Sequence, residues 1–415
     1  YNMKDKLLEY INSDEQVIVS LAPSYLTAYE EIEWDNIIGT LREMGVDIIA
    51  ETAQAAEIVA DNFNQMIQER DKTLISSCCP SIINLIEKHF PEMRDYLADI
   101  MSPMNLHASL LKEKYGQESK VVFFFFFIAK LDEIDNDWTD SKVDAVITFY
   151  QFKELCDEHD IDLKKYSDNK LEEGCGRITG TYPLEDGALR ASDLLADFNK
   201  NEVISSNGVR NSKQILNDLK EGKINPRFIE LMACEGGCIN GPGVKNYEST
   251  VSKEIKVNRY AEKKETEFNS KSLLKYLDKI DYKRNYKNRK QTYEKPTEAE
   301  IRDILKDIGK ESPADETNCG GCGYETCREK AIAVYQGLAQ KKMCIPYMKS
   351  KAESLSHIIV ESSHNAIIVV DKEMVIQEFN PVANQMFGKT KKAESGKKLA
   401  EYIDPKLFEK VWQTK

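Results

Sequence analysis

Cys319, Cys322, Cys327 and Cys344 stand in the run Cys-Gly-Gly-Cys-Gly-Tyr-Glu-Thr-Cys, followed after sixteen residues by a fourth cysteine. Soft thiolates at that spacing suit an iron–sulfur cluster, which takes four of them. The glycines between them let backbone N–H groups approach its sulfides. A structural zinc site is the other chemistry open to four cysteines. Further upstream, Cys78 and Cys79 sit side by side before Pro80, and Cys234 and Cys238 flank Glu235-Gly236-Gly237. Cys156 and Cys175 lie outside every motif and read as buried structural cysteines. The five histidines (His89, His107, His159, His357, His364) show no ligand spacing.

These residues need loops to present them, and the loops need strands. Residues 1 to about 275 alternate apolar runs with amphipathic stretches. Strands are predicted at Gln16–Leu21, Val46–Ala50, Thr73–Ser76, Val121–Ile128, Ala145–Phe149 and Phe228–Met232. Helices are predicted at Trp34–Met44, Ser81–His89 and Gln151–Glu158. That alternation predicts an α/β fold, with mostly parallel sheets flanked by helices. Chemistry then collects in loops leaving the carboxyl ends of the strands. The cysteine pairs follow two such strands, and Lys130 follows a third. Glycines 236, 237, 241 and 243 read as positions where backbone comes close to a cluster.

The remaining 140 or so residues divide differently. We expect domains at 1–278, 297–350 and 351–415, with a charged, solvated linker over 279–296. Thr297-Glu298-Ala299-Glu300 predicts a capping box opening a helix, and another helix is expected from Cys327 to Gln340. Ala366–Val370 and Val375–Phe379 predict a hairpin, with a short helix near Val382–Phe387.

Lys plus Arg is 57 and Asp plus Glu is 70, a net charge of −13. That balance argues against nucleic acid as a partner. The longest apolar run, Val121–Ala129, is too short to span a bilayer, and no signal peptide is visible at the start. Ten cysteines without an export signal point to a cytoplasmic protein that uses them as ligands. The first residue is not Met and the end stops mid-pattern, as expected of a piece of a longer protein.

The first 275 residues resemble the C-terminal domain found in the large chain of [FeFe] hydrogenases. The matching runs are Ile75-Ser76-Ser77-Cys78-Cys79-Pro80-Ser81, Met101-Ser102-Pro103-Met104 and Glu230 to Gly243. Ser20-Leu21-Ala22-Pro23 and Glu51-Thr52-Ala53 add to them. The resemblance implies a cubane joined to a two-iron unit with CO and cyanide ligands. It implies Cys79 and Cys234 as cubane ligands and Cys238 as the bridging cysteine. It implies Cys78 as the proton-passing thiol, Lys130 as donor to a cyanide and Glu133 as a proton relay. Met232 would pack on the two-iron unit. The family's Gly-Pro-Cys is replaced by Phe125-Phe126-Phe127, so Phe127 takes the place of a cubane ligand. Ala98 stands where active members carry a serine in the proton path, which leaves a water to serve there.

The four-cysteine unit resembles the small iron–sulfur domain of corrinoid iron–sulfur proteins and related electron carriers. That implies one [4Fe-4S] cluster on Cys319, Cys322, Cys327 and Cys344. The last 65 residues, with the runs 363–371 and 379–388, resemble the first half of a PAS domain, a helical and stranded (α+β) signalling fold. Together the three units resemble sensory [FeFe] hydrogenases. The expected function is reversible oxidation or sensing of H2, with electron transfer to the [4Fe-4S] cluster and PAS-mediated signal transduction. Expected partners are H2, protons, a ferredoxin-like redox protein and a downstream output. The alternative is a non-enzymatic iron–sulfur redox sensor whose hydrogen site is blocked by Phe127.

Overall fold

Lys120–Phe125 forms a strand because β-branched and aromatic residues can bury on both faces of a parallel sheet; all but Lys120 are buried. The structure is a computed structural model that describes residues 3–126, 128–134, 141–174, 176, 178–192, 194, 202–243, 246–263, 271–290, 293–387 and 395–404. It falls into two units, Tyr1–Gln291 and Thr292–Lys415.

The strands described in the first unit are β1 (Val17–Leu21), β2 (Ile48–Glu51), β3 (Leu74–Ile75), β4 (Lys120–Phe125), β5 (Ala145–Thr148), β6 (Val203–Asn207) and β7 (Phe228–Met232). One sheet has the order β2-β1-β4-β5 and the other β3-β7-β6, with every neighbouring pair parallel. The fold class expected from the alternation is the one observed. β6 was not anticipated. Its sequence, Val-Ile-Ser-Ser-Asn, is mostly polar, as suits a half-exposed edge strand.

β4 stops at Phe125 instead of running to Ile128, and Ile128–Lys130 forms a short 3-10 turn. Phe124 and Phe126 turn to one face, where they meet Phe149 with ring centroids 5.8 and 5.3 Å away. Phe123 and Phe125 turn to the other face and stack at 5.5 Å. Gly243 lies against this segment: its N–H donates to Phe126 O at 2.6 Å, and an added Cβ would sit 2.5 Å from that oxygen. Gly237, at φ +87°, is pressed against Pro183 O in the same manner. These two glycines therefore allow loop to meet loop.

The basic stretch expected to be solvated is instead laid down over Asp281–Arg289. Met101 N donates to Tyr282 O, Arg284 N donates to Asp99 O, and Arg289 N donates to Glu87 O. Arg284 is 3% exposed. Burial of an arginine is tolerated only with a charged partner, which is described below.

In the second unit, Thr297 and Glu300 form the expected capping box at the start of helix Glu298–Asp307. This helix packs Ile301, Leu305 and Ile308 against Ala331 of helix Cys327–Tyr335. The latter ends before the expected Gln340, and Gly337 follows it at φ +74°. Helix Ile345–Ser362 leads to an antiparallel hairpin of β8 (Ile368–Val370) and β9 (Ile376–Phe379), then to helix Pro381–Phe387. Asn380 is fully buried, and its side chain is saturated. It donates to Val360 O and Asn365 O and accepts from Ile367 N and Ala383 N, at 2.8–3.0 Å. Among the described residues no helix is long and apolar enough to cross a membrane.

Candidate functional site

Four loops leave the carboxyl ends of β1, β3, β4 and β7 and surround one cavity of about 110 Å³. Cys78, Cys79, Lys130, Met232 and Cys238 line it, together with Met104, Phe123, Phe125, Tyr182 and Glu230. The cysteine pair is fixed by local sequence. Cys79 caps helix Pro80–His89, whose first position takes the proline ring without losing a helical hydrogen bond. Burial raises the Cys79 thiol, while N–H groups of Ile82, Ala233 and Ser81 act against that rise. Those donors are poised for a thiolate.

Cys238 feels the charge of Cys79 and Cys234, and Cys234 that of Cys79. Burial pushes Cys234 up to about 12 and Cys238 well above its ordinary value. A bound cation reverses this, because thiol ligands deprotonate on a metal. Cys78 is pushed up to about 12 by burial, so it stays a thiol at neutral pH. Its sulfur lies 2.9 Å from the Tyr182 hydroxyl, a partner that no motif announced. Phe127 lies outside the described residues, as does Cys175. Cys156 is buried, as expected.

Lys130 Nζ reaches Cys78 O at 3.5 Å and Glu133 Oε2 at 2.5 Å. Ser102 Oγ donates to the same carboxylate at 3.2 Å, and Arg284 Nη1 to its other oxygen at 2.7 Å. Burial raises the Glu133 carboxyl, but Lys130 and Arg284 outweigh it and hold the group below its ordinary range. Beside Ala98, Tyr286 Oη donates to the Ala98 carbonyl at 2.6 Å. Glu230 receives Ala188 N and Leu189 N at 3.1 and 3.2 Å, yet burial raises it to about 7.

In the second unit Cys319, Cys322, Cys327 and Cys344 line one small pocket with Lys330, Thr326 and Ile345. Asn318, Gly320 and Gly323 adopt left-handed φ of +46°, +68° and +86°, which winds the loop tightly. Asn318 Oδ1 accepts Cys327 N at 2.8 Å. The Gly321 N–H and the Thr317 side chain lower the exposed Cys319 thiol. Cys344 is the residue before helix Ile345–Ser362 and is buried. Among the described residues no three potential donors converge on one point as for a lone ion.

A hydrogenase-like α/β unit with a cysteine-lined cavity, followed by a four-cysteine unit and a PAS-like hairpin, is the class of protein that fold and site define. The match to the family described as iron only hydrogenase large subunit, C-terminal domain, covers residues 15–242. The chain belongs to that family. An Fe-S cluster family model matches residues 315–346 and the PAS fold matches 357–415. Iron hydrogenase 1 of Clostridium pasteurianum is 25% identical over 297 residues, covering 58% of this chain and 52% of that protein. A relative in Drosophila erecta named probable cytosolic Fe-S cluster assembly factor is 25% identical over 284 residues, covering 54% and 59%. The chain thus spans little more than half the length of these relatives. An [FeFe]-hydrogenase structure from Chlamydomonas reinhardtii shares the fold, with TM-score 0.54 and 17% identity, covering 69% of this chain and 99% of that one.

Proposed function

We propose that the chain is an iron–sulfur redox protein of the sensory [FeFe]-hydrogenase type. The observation that carries this reading is a single cavity lined by Cys78 and Cys79 from one loop, Cys238 from another and Lys130 from a third, with Cys234 four residues before Cys238. The donor set fits a cubane held by three protein thiolates, with backbone N–H groups already aimed at Cys79. Phe127 offers iron no lone pair. When bound, the adjoining two-iron unit supplies reversible cleavage of H2 into two protons and two electrons.

The protein's own part is to hold and to shield. Cys238 would hold the two-iron unit beside the cubane, Lys130 would donate a hydrogen bond to it, and Met232 would pack against it. Cys78, protonated and linked to Tyr182, hands on protons, and Glu133 takes them further. Cys319, Cys322, Cys327 and Cys344 would hold a [4Fe-4S] cluster, which would supply a one-electron redox centre. The PAS unit reports the redox state to a downstream protein or domain. We divide the chain functionally at 1–291, which takes in the Arg284 segment, 297–350 and 351–415. The setting is cytoplasmic, with a ferredoxin-like carrier as electron partner.

Phe123 and Phe125 on the cavity wall favour a second reading, a non-enzymatic sensor in which the hydrogen site carries no two-iron unit. The family relatives named as Fe-S cluster assembly factors are compatible with it. Infrared spectra after co-expression with maturation factors decide between the two. CO and cyanide bands, with about ten irons per chain, support the hydrogenase reading. Absence of the bands, with about four to eight irons, supports the sensor.

A further inference from the structure

Lys330 is a lysine where composition gives no reason for one to be hidden. It lies on helix Cys327–Tyr335, three positions after Cys327, and is 1% exposed. Its ammonium donates to Gln340 O at 2.9 Å and to Lys341 O at 3.5 Å. Among the described residues no carboxylate forms an ion pair with it. A buried ammonium held only by carbonyl dipoles is costly unless an opposite charge lies close. Lys330 lines the same pocket as Cys319, Cys322, Cys327 and Cys344. Four thiolates around a cluster supply the missing negative charge.

We propose that Lys330 is the built-in counter-ion of this cluster and sets its reduction potential. The inference rests on the cluster reading of those four cysteines. Reduction adds one electron to the cluster from a one-electron donor, breaks no bond and takes up no proton. Lys330 stabilises the added negative charge, which favours the reduced state. Through Gln340 O and Lys341 O it also holds the turn that delivers Cys344. Charge at this one position therefore acts on both the potential and the ligand loop.

The test is a redox titration of the full-length chain, purified anaerobically and reduced with dithionite. The readout is the electron paramagnetic resonance signal that vanishes in Cys322→Ser. Lys330→Gln keeps a donor for the carbonyls but removes the charge; Lys330→Arg keeps the charge. We expect Lys330→Gln to shift the reduced-to-oxidised ratio at fixed potential at least tenfold toward oxidised, about 59 mV for a one-electron couple. Lys330→Arg should stay within threefold of the parent. Loss of iron in Lys330→Gln and Lys330→Met, but not in Lys330→Arg, also supports the proposal. An unchanged potential in Lys330→Gln overturns it, as does loss of iron in all three variants. If the parent chain shows no signal that Cys322→Ser removes, the cluster reading itself falls, and this inference with it.

Discussion

Arg284 Nη1 lies 2.7 Å from Glu133 Oε1, with side-chain exposures of 3% and 1%. The two residues are 151 positions apart, and their pairing ties the end of the first unit to the turn that carries Lys130. A buried carboxylate with two cations is held more firmly than a surface pair, and removing one partner leaves charge without compensation.

Replacing Arg284 with Met is therefore expected to destabilise the first unit by about 3 kcal/mol, near the low end for a broken buried pair because Lys130 remains. Urea unfolding read by tryptophan fluorescence measures it. A change below about 1 kcal/mol contradicts the buried-pair account.

The same pair sets an acid limit. Glu133 is held below its ordinary carboxylate range, so its folded pKa is depressed. Its stabilisation is present above the unfolded pKa and is lost as pH falls through the folded one. Glu133→Gln should flatten the acid limb of the stability curve, with the difference from the parent shrinking as pH falls below the ordinary carboxylate pKa of about 4.3.

Glu230 has the opposite sign. Burial raises it from 4.5 to about 7, so the folded state holds its proton where the unfolded state has released it. Stability from this group is present at low pH and is lost as pH rises through that window. Between those values the slope is about 1.4 kcal/mol per pH unit. Glu230→Gln should remove that slope in urea titrations at pH 5, 6 and 7; an unchanged slope assigns it elsewhere.

Restoring a thiol at Phe127 should raise the iron bound by the first unit, as counted by metal analysis against Cys79→Ser. The substitution belongs at that position alone. Phe126 packs on Phe149, and trimming it to Ala should cost about 3–5 kcal/mol. If Phe127→Cys leaves the iron count unchanged, the missing donor is not what limits assembly.

Asn380→Ala should destabilise the C-terminal hairpin by about 3 kcal/mol, since it removes four hydrogen bonds made by one fully buried side chain. Limited proteolysis should then cut between residues 363 and 387 while sparing the first unit. Equal protection of parent and variant would show that these bonds do not hold the hairpin.

The cysteine loops were legible because strand, short loop and helix follow each other within a few residues, so their chemistry is local. Cys79 before Pro80 is a helix start that can be read directly. Arg284 was not legible. A stretch of Lys, Arg, Asn and Tyr reads as solvated, and nothing local reveals that a carboxylate far upstream will enclose one of its charges. Tyr182 escaped for the same reason, since its meeting with Cys78 spans 104 positions. The Phe run concealed the end of β4, because five identical apolar residues carry no boundary signal. Gly237 and Gly243 were legible as tight contacts, but their neighbours proved to be Pro183 and Phe126.

Cys344 ends the four-cysteine pocket and in the same position begins an 18-residue helix. Near the far end of that rod, Val360 O is gripped by Asn380 at the root of the hairpin. A helix of this length is about 27 Å of stiff backbone. The cysteine pocket and the root of the hairpin are thus the two ends of one continuous element.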